Sequence, residues 1–141
     1  FVLESDEARL GESWARGTIV LAWDSVRRGA ANIFDGHNVV LHEFAHQLDA
    51  EDGEMDGAPD LGARSLYTAW AQVLGGEFDE LVAKVHAGRP TDIDRYGSTN
   101  PPEFFAVVTE LFFEKPKQLK KRHPGLYDQL AAFYRQDPAA L

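Results

Sequence analysis

The run Val39-Val40-Leu41-His42-Glu43-Phe44-Ala45-His46-Gln47-Leu48-Asp49 sets two histidines and a glutamate into an otherwise apolar segment. On an α-helix, residues four apart lie one turn apart on the same face. His42 and His46 can therefore turn both imidazoles toward one metal ion, with Glu43 beside them in reach of a water bound to it. The flanks favour a helix. Val39, Val40, Leu41, Phe44, Ala45 and Leu48 cover the faces that the histidines leave, and Asn38, after the turn-like Asp35-Gly36, is an N-cap candidate. A pattern with three fixed positions in five also arises by chance, so its weight comes from this apolar, helical setting. Two buried histidines without a metal would need other polar partners.

At 141 residues the chain reads as one domain over 1–141, long enough for a real core. The shares of apolar (44%) and charged (26%) residues are those of an ordinary soluble globular protein. A formal net charge of −9 argues against nucleic-acid binding, which needs clustered Lys and Arg. The one basic cluster, Lys115 to Arg122, reads as a solvated helix face. No apolar run has membrane-spanning length and no signal-peptide pattern opens the chain, which starts at Phe1 rather than Met. Cysteine is absent, which removes disulfides, thiolate ligands and cysteine nucleophiles, and fits a cytoplasmic location. Any metal must then be held by histidine and carboxylate.

Leu10-Gly11-Glu12-Ser13 reads as a turn, and Thr18 to Trp23, β-branched and apolar, as a strand that could form a cleft rim beside extended substrate. Asp24 to Ala31 reads as a short helix or a turn. The acidic, Gly-rich stretch Ala50 to Pro59 is a loop without the spacing of a calcium-binding EF-hand. Helical periodicity follows over 62–74, is broken at Gly75-Gly76, and resumes from Phe78 to Gly88. After a loop over 88–100, Asn100-Pro101-Pro102-Glu103 opens a strongly apolar helix that stops near Pro116. Leu126, Leu130, Phe133 and Tyr134 mark a last amphipathic helix. The expected fold class is α+β and mostly helical, a zincin-like domain with a small sheet packed on the metal-binding helix.

A catalytic zinc usually has three protein ligands and one open position. In the metzincin layout the third ligand lies six residues after the second histidine, here Asp52. That layout needs a glycine at the position of Asp49, and a methionine turn that Met55, the single methionine, does not supply. In the gluzincin layout a glutamate on a later helix serves. Glu103, in the first turn of the apolar helix, is the best placed. With Asn100 as N-cap, Glu103 is equally the N3 glutamate that closes a capping box. Glu110, on the same face, is a second candidate, either as ligand or as a carboxylate that orients a histidine. His37, His86 and His123 are assigned no role.

His42-Glu43-Phe44-Ala45-His46-Gln47-Leu48-Asp49, Tyr96-Gly97 and Asn100-Pro101-Pro102-Glu103-Phe104-Phe105-Ala106 together resemble the bacterial Mlc titration factor A family, as do Gly11-Glu12-Ser13-Trp14 and Val20-Leu21-Ala22-Trp23-Asp24. The resemblance spans about residues 10 to 115. It implies a zinc-dependent, gluzincin-type peptidase whose active-site layout is similar to the catalytic domain of anthrax lethal factor. One Zn2+ would sit on His42, His46 and Glu103, with Glu43 as general base and Tyr96 stabilising the transition state. The family is longer at its N-terminus, so the resemblance implies the catalytic part of a longer protein. It further implies aminopeptidase-like action on short substrates, for which the acidic loop Glu51 to Asp56 could hold the substrate ammonium. It also implies association with a sugar-uptake transcriptional repressor. One departure from the thermolysin layout stands out: the position four after the glutamate ligand is Val107, so Asp49, Glu110 or a backbone carbonyl must orient a histidine.

Two neutral histidines and one carboxylate would leave a zinc site with a net charge of about +1, which brings the pKa of bound water toward roughly 7. Glu43 would take the proton as the peptide carbonyl is attacked and pass it to the leaving amine. The rival is a protein-binding zincin module that sequesters a transcriptional repressor, with weak or vestigial activity. A carboxylate beside a ligand has no purpose in a purely structural site, and so Glu43 favours catalysis.

Overall fold

The computed structural model describes residues 38–51 and 53–141 in full, together with the backbone of Val2–Glu4, Gly11–Trp14 and Thr18–Ala22. Asp52, Asp24 to Ala31 and His37, each considered above, lie outside these. Five helices follow in order among the described residues: α1 (Val39–Ala50), α2 (Arg64–His86), α3 (Pro101–Glu114), α4 (Pro116–Arg122) and α5 (Pro124–Tyr134). Single 3-10 turns occupy Arg95–Ser98 and Pro138–Ala140.

The expected α+β class is corrected to a helical one. Helix takes up 72% of the fully described residues, and no strand falls among them. Fold class follows from which elements bury the apolar surface. Here the core of the described residues runs from Ala45 to Leu130 through helices, with the loop residue Ile93 added. Three short backbone segments ahead of it pair in the order β1 (Val2–Glu4), β3 (Thr18–Ala22), β2 (Gly11–Trp14), with Val2 opposite Val20 and Glu12 opposite Val20 on the other side. Gly11–Trp14 is thus extended rather than the turn expected there, because pairing with β3 overrides a Gly/Ser signal.

The centre of the core is α3. Every residue from Phe104 to Phe112 is buried, so this helix is apolar on nearly all sides and must be covered on all of them. Helices α1, α2, α4 and α5 and the 95–98 turn all pack against it. Trp70 of α2 meets Phe105 at 5.7 Å and Phe133 of α5 at 5.9 Å between ring centroids, both edge-on. Leu119, buried inside the basic stretch, anchors α4 while Lys117, Lys120, Lys121 and Arg122 stay exposed, as a solvated face requires.

Helix α2 runs unbroken through Gly75 and Gly76, where the sequence suggested an end. Two glycines cost a helix about 1 kcal/mol each relative to alanine. Trp70 and Leu74 before them and Leu81 after them are buried, and this burial outweighs that cost.

His123, at the junction of α4 and α5, ties three segments together. Its Nδ1 lies 2.8 Å from Glu77 of α2 and its Nε2 2.7 Å from Asp92 of the loop before Tyr96. Both nitrogens donate only in the imidazolium form. The Glu77 and Asp92 carboxylates raise its pKa to about 8 against the opposing effect of burial. A raised folded-state pKa stabilises below the unfolded value near 6.5, and that contribution is lost as pH rises through 8. The stability gap between wild type and His123→Gln, measured by urea unfolding, is therefore expected to shrink by about 1–2 kcal/mol between pH 6 and pH 9. A gap that does not change with pH would show that the imidazolium is not the stabilising species.

Candidate metal centre

Helix α1 begins as its sequence dictates. The Asn38 side chain accepts hydrogen bonds from the N–H groups of Val40 and Leu41, satisfying two of the donors a helix start leaves open. Asn38 also fastens α1 to α3: its backbone N–H donates to Glu110 at 2.7 Å and its side-chain amide to Glu114 at 2.8 Å. Farther along α1, His46 meets Glu103, so the two helices run antiparallel.

Glu103 and Glu110 are seven residues apart, two turns on one face of α3, and they close on His42 from either side. Nε2 of His42 lies 3.0 Å from Glu103 and Nδ1 lies 3.1 Å from Glu110. The other oxygen of Glu103 lies 2.9 Å from Nε2 of His46. The two imidazoles stand edge to face, 4.8 Å apart. One donor atom from each of His42, His46 and Glu103 falls within a 4.8 Å set, a spacing compatible with a single metal ion.

The alternative role of Glu103 is half present. Asn100 accepts the Glu103 backbone N–H at 2.9 Å, which caps α3. The Glu103 side chain does not return to Asn100, as a capping box would need, but spans the two histidines. Burial works against ionisation at both ends of this contact and is outweighed. The two histidines hold the Glu103 carboxyl at about 2, and Glu103 with Glu110 raise His42 to about 10. The site thus favours positive charge, and protons and a metal ion would compete for the same nitrogens.

Glu110 is the residue that orients His42, and Asp49 is not. Asp49 is fully buried, but its carboxylate accepts the N–H groups of Asp56 and Gly57 at 3.2 and 2.8 Å. Burial pushes it up to about 6 against those two hydrogen bonds. Nδ1 of His46 has no hydrogen-bond partner among the described residues.

Glu43 is buried on α1 beside His42. Tyr96 sits in the 3-10 turn, where Asp94 accepts its N–H at 2.8 Å, and its ring centroid is 6.0 Å from that of His42. The residue is 55% exposed, so its ring borders the site rather than filling the core. Burial of the hydroxyl, then Glu103 and then Glu43, raise its pKa, which puts both carboxylates near the phenol. His42, His46, Glu43, Glu103 and Tyr96, drawn from three elements, are thus brought together. The acidic residues Glu51, Glu54 and Asp56 are exposed on the loop after α1. Sequence reasoning missed the roles of His123 and of the Asp49–Gly57 contact; an aspartate three residues past His46 in an apolar segment was the only local signal of the latter.

Residues 1–135 match the family described as Glucose-regulated metallo-peptidase M90. The chain belongs to this family. It is 48% identical to an uncharacterised protein of Synechocystis sp. over 97% of its length, covering 50% of that protein. It is 36% identical to Mlc titration factor A of Yersinia pestis and of Yersinia pseudotuberculosis over 92% of its length, covering 48% of each. The chain therefore spans about half the length of these curated relatives. The M90 match makes it a metallopeptidase-type module, and the likeness to Mlc titration factor A read from its motifs stands. No described helix is long and apolar enough to cross a membrane.

Proposed function

We propose that the chain is the catalytic module of a zinc-dependent peptidase, with His42, His46 and Glu103 as ligands, Glu43 as general base and Tyr96 as oxyanion donor. The observation that carries this reading is the Glu103 carboxylate spanning both Nε2 atoms from the opposing helix. Zinc, when bound, supplies a Lewis acid that polarises a carbonyl and acidifies a water. The chain's own residues do the rest. Glu110 holds the proton of His42 Nδ1, which leaves Nε2 free to act as a ligand. Glu43 accepts a proton at its carboxylate and returns it to the leaving amine. The Tyr96 hydroxyl, kept protonated by burial and then by the nearby Glu103 and Glu43 carboxylates, donates to the developing oxyanion. Aminopeptidase action on short substrates is the finer form of the proposal, with the exposed acids Glu51, Glu54 and Asp56 available to a substrate ammonium.

A second reading has one specific support, the name Mlc titration factor A borne by the Yersinia relatives. In that reading the module binds a sugar-uptake repressor and its hydrolytic activity is vestigial.

Metal removal tests the first reading. The isolated protein is expected to carry one zinc per chain, to hydrolyse short peptides, to lose this activity with a chelator, and to regain it with one equivalent of zinc. A protein that binds zinc tightly yet cleaves no peptide would favour the sequestering module.

A further inference from the structure

Gly57 lies in the loop between α1 and α2, is buried, and has φ +83. Three helices meet it. Asp49, in the last turn of α1, accepts its N–H at 2.8 Å. Trp70 of α2, 3% exposed, donates its indole N–H to the Gly57 carbonyl at 3.0 Å. A Cβ at Gly57 would stand 2.7 Å from the carbonyl oxygen and 2.8 Å from the carbonyl carbon of Pro101, the first residue of α3. Those are backbone atoms, so no rotamer change relieves the contact. Either the loop or the start of α3 must move.

The other described glycines with positive φ differ in this respect. At Gly53, Gly62 and Gly88 an added Cβ meets nothing within 4 Å. They answer a conformational need only. Gly57 answers a conformational need and a packing one.

Its place in the chain gives this packing a consequence. Asp49 follows His46 by three residues on α1, and Pro101 precedes Glu103 by two on α3. The ends of α1 and α3 that carry His46 and Glu103, 2.9 Å apart, thus close on each other through Gly57. We infer that Gly57 is a positioning residue for the metal centre: its missing side chain lets the start of α3 approach closely enough for Glu103 to span His42 and His46. Asp49 and Trp70 hold it there. The inference rests on the metal-binding reading above and on no titration.

The experiment compares Gly57→Ala with Gly62→Ala, because φ +83 and φ +84 impose the same backbone strain on alanine while only the first meets Pro101. Zinc dissociation constants are measured by competition with a chromophoric chelator, at a temperature where circular dichroism shows each protein folded. Gly57→Ala is expected to weaken zinc about 10- to 100-fold, the range seen when groups that support metal ligands are lost. Gly62→Ala is expected to match wild type. Equal affinities in the two variants overturn the inference. Should Gly57→Ala fail to fold, Trp70→Phe, which removes the hydrogen bond to Gly57 while keeping an aromatic ring, decides in its place. A several-fold loss of zinc affinity supports the inference and an unchanged affinity overturns it. A wild-type protein that binds no zinc overturns the metal-centre reading itself, and that result is seen before any variant is compared.

Discussion

Glu43→Gln is expected to retain one zinc per chain and to lose about 10²–10⁴ in kcat on a peptide substrate, the range a positioned general base contributes. Glutamine keeps the shape of glutamate and one acceptor oxygen, but replaces the other oxygen with an NH2 donor and so cannot take up a proton at neutral pH. Glu43 is buried and so is held in place by its surroundings, and the substitution leaves His42, His46 and Glu103 untouched. The effect should therefore fall on kcat, with KM and zinc content near wild type. Zinc analysis and steady-state kinetics on the same preparation check this. Unchanged activity with zinc retained would sink Glu43 as the base.

Glu103→Ala is expected to have the largest effect on metal binding. A structural zinc site in a small domain is worth about 10–16 kcal/mol, so the share of one ligand is on the order of 3 kcal/mol, or about 10²-fold in affinity. The fold should survive, because the cap of α3 uses the backbone N–H of residue 103 and not its side chain. Retained helicity with zinc affinity lost would separate the two roles that the sequence allowed for this residue. The substitution should also be visible without metal. Removing one of the two carboxylates that raise His42 to about 10 should bring its titration, followed by NMR, down toward the ordinary histidine range. A variant that binds zinc as tightly as wild type would eliminate Glu103 as the third ligand.

Much of the centre was legible in the chain because its signals are local. The spacing of His42 and His46 on an apolar helix needs only helix geometry. Asn38 and Asn100 announce two helix starts, and both cap as expected. Tyr96 is legible only through the family resemblance; Glu103 stands out by its place in the first turn of the apolar helix, but nothing local tells Glu103 the ligand from Glu103 the capping residue. The α+β expectation failed for a related reason. The Thr18 to Trp23 pattern reports a strand, but whether strands or helices bury the core depends on apolar surfaces far apart in sequence. The break read at Gly75-Gly76 weighed propensity alone, while buried side chains on both sides carry α2 through.

The sequence by itself determined the two-histidine arm, its helix and the apolar helix that answers it, because each follows from the periodicity and capping of one continuous stretch. Only the tertiary structure decided how those helices meet. It set α1 antiparallel to α3, gave Glu103 to both histidines and Glu110 to one, and turned Asp49 away from the site to grip Gly57. These choices rest on backbone approach distances between segments remote in the chain, above all at Gly57 and Pro101, where the lack of one carbon atom lets two helices close.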